Sequence, residues 1–326
     1  MGIPVMNPLS KQYASAKTSW SCAFEYQEQH AGKNVRTELA LALAALYGID
    51  TPGIEVVCQV VEKFNTASLV HDDIVDQDPI RRGAPAVWVK YGTGTALLSG
   101  MYGYIEGLQQ LAKLNDPGLL DTGIKSLETL HIGQYLDAQL SEGQVLPTLE
   151  EYRFIAQTNT GCFFLFILDA CQQIKPAPRP VHELLTALML ELSVYYRYIN
   201  DYCDINHIPH FKKKGFAPDL EGGPKSFIMI LADCACLKQK RTDAQKRQTI
   251  MAFGEAGVFS EALRVMDDSY LQLQRCLAKI RTLSQASPFQ PLAKFFDDLK
   301  FQQAAHDNYY QCLITDNLPP SPATSG

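Results

Sequence analysis

Residues 54–76 run without a proline or a glycine and end in His71-Asp72-Asp73-Ile74-Val75-Asp76. Val57, Val60, Val61, Phe64 and Leu69 recur at three- and four-residue intervals, the period of an α-helix with one buried face. Such a helix needs partners for its apolar stripe, and the rest of the chain offers more helices. Comparable patterns cover 38–47, 95–114, 119–140, 149–173, 181–204, 227–237, 242–253, 260–283 and 291–308. The one short strand signal, at 85–89, reads better as a loop. Breaks at Pro52-Gly53, residues 82–85, Asp116-Pro117-Gly118, residues 175–180 and Gly222-Gly223-Pro224 are short, and no solenoid repeat is present. The expectation is an all-α fold: one helical domain over 15–313, flanked by disordered segments at 1–14 and 314–326.

Composition removes several classes of function. With 46% hydrophobic residues and a net charge of -6, the chain is neither disordered nor built to bind a nucleic-acid backbone. No run approaches the roughly 18 apolar residues of a membrane span, and the first twenty positions lack the charged-then-apolar order of a secretory leader. Nine cysteines without a C-x-x-C pair read as reduced, mostly buried thiols, so a cytoplasmic setting is expected.

Chemistry concentrates at helix ends. Asp72, Asp73 and Asp76 cluster at the C-terminal end of their helix, where they repel one another and oppose the helix dipole. Hard divalent cations relieve such crowding, and magnesium typically uses one or two carboxylates plus substrate phosphates. A solvated acidic helix end is the bland alternative, weakened by the apolar turn just upstream. Asn200, Asp201 and Asp204 close a second long helix, preceded by Tyr195, Tyr196 and Tyr198. Basic residues follow each cluster: Arg81 and Arg82 after the first, Lys212 to Lys214 and Lys225 after the second. Two such ends facing one another could hold metal ions with a diphosphate clamped between them, an arrangement for ionising an allylic diphosphate.

On these motifs the chain resembles the trans-type isoprenyl diphosphate synthases, such as farnesyl and geranylgeranyl diphosphate synthases. The resemblance spans roughly residues 32–225. It rests on the first aspartate-rich motif with its arginine pair, on Gly32-Lys33-Asn34-Val35-Arg36, on Gly133-Gln134, on Asn159-Thr160-Gly161 in place of Lys-Thr-Gly, and on residues 200–204 with Lys214 and Lys225. It implies an antiparallel helical bundle around a central cavity, a homodimer, prenyl diphosphate substrates and three magnesium ions. Asp72, Asp76 and Asp73 with Asn200, Asp201 and Asp204 would form the metal-binding set. Arg81, Thr160, Arg197, Lys214 and Lys225 would hold the allylic diphosphate; Lys33, Arg36, Asn65 and Arg82 would face the acceptor.

Four departures from the family pattern bear on function. Asn65 stands where the family commonly has a histidine, Asn159 replaces the lysine of Lys-Thr-Gly, and Asn200 replaces the leading aspartate of the second motif. Arg197, replacing a glutamine, returns a positive charge nearby. In this family, side-chain size in the turns before the first motif governs product length. Ala67 and Ser68 are small, so Phe64, with Tyr102 or Tyr104 from the next helix, is expected to form a deeper floor. The expected activity is elongation with isopentenyl diphosphate to a product of about twenty carbons. The alternatives are transfer of a geranylgeranyl group to an acceptor such as an indole, and terpene cyclisation on the same fold.

Overall fold

A computed structural model describes residues 9–30, 32, 34–234, 236–284 and 288–315. Along the chain run α1 (Leu9–Gln29), α2 (Val35–Tyr47), α3 (Thr51–Asp76), a hairpin of β1 (Ile80–Arg81) and β2 (Ala84–Pro85), α4 (Val87–Tyr91), α5 (Thr93–Ala112) and α6 (Pro117–Glu142). Then come α7 (Leu149–Ile155), a π-helical turn (Ala156–Thr160), α8 (Gly161–Ile174), α9 (Arg179–Asn206), α10 (Ile208–Lys214), α11 (Phe227–Leu231), α12 (Asp243–Glu255), α13 (Val258–Leu283), α14 (Gln290–Leu299) and α15 (Tyr309–Ile314). The fold is all-α apart from the hairpin. Short turns between neighbours such as α2 and α3 make successive helices antiparallel. One hydrophobic cluster runs from Phe24 to Tyr309.

The boundaries of α3 set the position of the first acidic cluster. Asp50 caps its start, accepting from the Gly53 N–H at 3.0 Å, with Pro52 in the first turn. Gln77 stops it in the left-handed region, φ 59°, returning its N–H to the Asp73 carbonyl. At the far end of the bundle, Asp116 caps α6 by accepting from Gly118 and Leu119.

Several expectations shift. Helix α1 begins at Leu9, inside the N-terminal segment read as disordered from composition; residues 1–8 and 316–326 lie outside the described residues. The 227–237 pattern stops at Leu231, where Asp233 turns left-handed at φ 46°. The 291–308 pattern ends its helix at Leu299. Most of 85–89, read as a loop, is the start of α4, and the break at 82–85 is a hairpin: Arg81 pairs with Ala84, and Arg82 and Gly83 both have positive φ, 55° and 80°. That is the signature of a type I′ turn, whose twist suits a two-residue hairpin. Helices α7 and α8 with the π turn between them form one stretch, 149–174, apolar enough to cross a membrane by length and composition. Two-thirds of its most apolar 18-residue window is buried within the bundle, and the stretch packs against α2, α6 and α9.

Candidate active site

The hairpin sends the arginine pair in opposite directions. Arg81 folds back onto the end of α3, donating through Nε to Asp73 Oδ1 at 2.6 Å and through Nη2 to Asp72 Oδ2 at 3.2 Å. Arg82 reaches the His30 carbonyl at 2.7 Å and packs against Gly32. Strain at the positive φ of Arg82 is tolerated because both side chains are tied down.

The acidic triplet is therefore split. Asp73 is fully buried against Arg81, and burial pushes its carboxyl up to about 7 although the guanidinium opposes this; its Oδ2 has no partner. Asp72 and Asp76 are partly exposed and lie a helical turn apart. Gln134, on α6, donates to Asp72 at 3.4 Å.

Lys225 joins the two halves of the site. Its Nζ lies 2.7 Å from Asp76 Oδ1 and 3.2 Å from Asp137 Oδ2. Asp137 also receives Arg197 Nη2 at 2.9 Å, and Arg197 Nε continues to Asp201 Oδ1 at 3.3 Å. A continuous charged chain thus links the end of α3, through Asp137 of α6, to the last turns of α9. Burial by itself would raise the Asp137 carboxyl; Arg197 and Lys225 outweigh it and bring the group down to about 2. Asp137 carries no motif of its own in the reading above. The available signal was its position one turn after Gly133 on the same face of a helix.

The remaining acidic residues of α9 are committed elsewhere. Asp201 Oδ2 accepts from the Tyr152 hydroxyl and from the Phe227 N–H, each at 2.9 Å. Asp204 is buried beside His210, at 3.0 Å, and Lys214, at 3.5 Å. Burial, with the neighbouring Asp204 charge, pushes the Asp219 carboxyl well up, while Lys214 and His210 hold Asp204 below the ordinary carboxylate range against the cost of burial. Asn200 is partly exposed on the last turns of α9.

Between these helices the π turn widens the backbone at Gln157-Thr158-Asn159. Gly133 permits the approach: a Cβ there would stand 2.5 Å from the Asn159 amide nitrogen. Asn159 Oδ1 accepts from Thr160 at 3.1 Å and from Arg197 Nη1 at 3.4 Å, so Arg197 occupies the space beside the residue that lacks the expected lysine. A cavity of about 370 Å³ opens between Asp76–Ile80, Lys214 and Phe216, Asp219 and Glu221, Lys225 and Lys238–Lys240.

A family model described as polyprenyl synthetase matches residues 18–264 of the chain. The chain belongs to that family. It is 29% identical to geranylgeranyl pyrophosphate synthase 1 of Zymoseptoria tritici, over 74% of this chain and 75% of that one. It is 30% identical to copalyl diphosphate synthase of Talaromyces verruculosus over 64% of this chain, although it spans only 21% of that longer protein. The crystal structure of a polyprenyl synthase from Caulobacter crescentus CB15, complexed with calcium and isoprenyl diphosphate, superposes with a TM-score of 0.76 at 19% identity, covering 89% of this chain and 94% of that one.

The donor set suits the magnesium of a polyprenyl synthetase. Among the described residues no three His, Cys, Asp or Glu side chains converge into a metal cage. Magnesium does not need one, because it keeps waters and leans on one or two carboxylates plus substrate phosphates. Asp72 and Asp76 are the partly exposed carboxylates, paired here with cations that a diphosphate can take over.

Among the residues expected at the acceptor, Arg36 stacks over Phe163 and Phe164 at 5.4 and 5.8 Å, and its Nε is buried without a partner. Burial lowers the Arg82 guanidinium from its usual value, and the charges of Arg81 and Arg36 add to this. Glu62 opposes this shift. Asn65 is buried on α3, and Lys33 lies outside the described residues.

Phe64, Ser68 and Asp72 share one stripe of α3. Phe64 is fully buried among Tyr104, Phe163 and Phe166, at 6.3, 6.4 and 5.7 Å between ring centres. Tyr102 does not join this floor, because it turns outward onto Trp20 and Phe24 of α1. Ala67 faces Gly103 of α5, one turn along from Gly107, which meets the Phe64 ring.

Proposed function

We propose that this prenyltransferase condenses an allylic diphosphate with isopentenyl diphosphate, using magnesium, and that its product is close to geranylgeranyl diphosphate. The observation that supports the reading is Lys225, which bonds Asp76 at the end of α3 and Asp137 of α6, while Asp137 in turn bonds Arg197 of α9. Arg81, Lys214 and Lys225 bind the allylic diphosphate, with Thr160 and Arg197 on the wall beneath. Arg36 and Arg82, with Lys33, bind the acceptor diphosphate next to Asn65. Magnesium, when bound by Asp72 and Asp76, neutralises charge building on the leaving diphosphate; a complement of three ions, with Asn200 on the third, belongs to the same proposal. Asp73, Asp201 and Asp204 orient this set through Arg81, Arg197 and Lys214. The relative named geranylgeranyl pyrophosphate synthase and the small Ser68 support the product length.

Exposed Leu97, Met101 and Ile105 on α5 and Ile132 and Tyr135 on α6 form an apolar face suited to a second copy of the chain, giving a homodimer. All nine cysteines are free, as suits the cytoplasm.

The test supplies purified protein and magnesium with dimethylallyl, farnesyl or geranylgeranyl diphosphate, each with and without isopentenyl diphosphate. Longer diphosphates are expected only when the acceptor is present, and Asp72→Ala should abolish them. Hydrocarbons from an allylic substrate alone would replace the reading with cyclisation. Products formed only on adding an indole would replace it with aromatic transfer.

A further inference from the structure

The strap that leads from α11 to α12 carries two thiols that none of the chemistry above uses. Cys234 Sγ and Cys236 Sγ lie 3.6 Å apart. The Cys236 N–H donates to the Cys234 carbonyl at 2.9 Å, folding the chain so that both side chains fall together. Asp233, left-handed at φ 46°, ends the helical turn just before them. We propose that Cys234 and Cys236 are a reversible disulfide site, oxidised by peroxides.

Geometry, exposure and surroundings support this. A disulfide bond is about 2 Å long, so the sulfurs need to close by only about 1.5 Å. The described residues of the strap, Cys234 and 236–242, lie outside any helix or strand, so that movement breaks no helical hydrogen-bond ladder among them. Cys234 is partly exposed, whereas Cys236 is buried. Burial and the adjacent Cys234 push the Cys236 thiol up to about 11, with the Arg241 charge opposing them. Cys234 therefore reacts first and Cys236 resolves. The Cys234 thiolate attacks one oxygen of hydrogen peroxide, the O–O bond breaks, and one water leaves, giving a sulfenic acid. Cys236 sulfur then attacks Cys234 sulfur, the S–O bond breaks and a second water leaves. The two sulfurs together lose two electrons, peroxide gains them, and both thiol hydrogens end in water. The same strap then delivers Lys238 and Lys240 to the cavity rim, so the bridge forms at its root.

The remaining cysteines are internal controls. Cys58, Cys162 and Cys171 are buried thiols pushed up to between about 11 and about 12 by desolvation, and Cys22 is exposed and alone.

The test treats the full chain with hydrogen peroxide, alkylates it under denaturing conditions with iodoacetamide, and digests it with trypsin. Cleavage after Lys225 and Lys238 leaves both thiols on one peptide, 226–238. That peptide should lose both alkyl groups and weigh two hydrogens less than its dithiol form, and dithiothreitol before alkylation should restore both groups. In Cys236→Ser, and in Cys236→Ala as a check on folding, dimedone should trap a sulfenic acid on Cys234 that the unaltered chain does not accumulate. Retention of both alkyl groups at a dose that oxidises Cys22 would overturn the proposal. So would equal dimedone labelling of Cys234 with and without Cys236, or bridging of either residue to another peptide.

Discussion

Ser68→Phe should shorten the product by one five-carbon unit. Ser68 lies four residues before Asp72 on the same stripe of α3, and Phe64 lies four residues further down. At 1.5 Å of rise per residue, these positions are about 6 Å and about 12 Å below the diphosphate end. A phenyl ring at 68 therefore raises the floor by about 6 Å, close to one helical turn and comparable to the length of one isoprene unit. Ser68 is buried, and its hydroxyl donates to the Asn65 carbonyl at 2.8 Å, so the larger ring overpacks the site at about 1–3 kcal/mol. The fold should survive that cost, which thermal unfolding measures directly. The assay extends dimethylallyl diphosphate with isopentenyl diphosphate, removes the phosphates and separates the alcohols by chromatography. Farnesol should displace geranylgeraniol as the main product. A folded variant that still yields geranylgeraniol would show that the growing chain does not descend this face of α3, and the argument about Phe64 would fall with it.

Phe64→Ala should do the reverse, lengthening the product while lowering stability by about 3–5 kcal/mol, since the ring is fully buried among three aromatic residues; an unchanged product distribution from folded protein would contradict the floor. Asp137→Asn leaves Arg197 and Lys225 short of a counter-charge and should cost about 3–5 kcal/mol by denaturant melts. Because the Asp137 carboxyl lies below its unfolded value of 3.8, at about 2, its stabilising contribution is present above pH 4 and disappears as pH falls through 2. That loss, about 2.5 kcal/mol from the shift, should be missing from the acid limb of Asp137→Asn. Gly133→Ala should lower both stability and turnover, because its Cβ would meet the Asn159 backbone at 2.5 Å; normal turnover in a crystal structure with an unmoved π turn would refute the contact. Lys225→Ala should raise KM for the allylic diphosphate at least tenfold, about 1.4 kcal/mol, in steady-state assays.

Local pattern made most of the helices legible. The long Pro- and Gly-free run fixed where α3 buries its stripe, and the Pro-Gly breaks placed its neighbours, because periodicity and capping act over a few residues. The two acidic helix ends could be read for the same reason. The sequence could not decide which carboxylates stay available. Asp73 turns into Arg81 because a type I′ turn at Arg82-Gly83 folds the hairpin back, and Asp72 and Asp76 are left toward the hollow. Nor could it reveal Asp137, whose partners are 60 and 88 residues away, or the π turn that Gly133 admits. Tyr102 and Tyr104 are equivalent candidates in sequence, and only helix rotation sends one to α1 and the other to Phe64. Helix, cap and turn are settled by neighbours along the chain; the pairing of buried charges is settled by neighbours in space, since an unpaired ion in the interior costs far more than any local preference can offset.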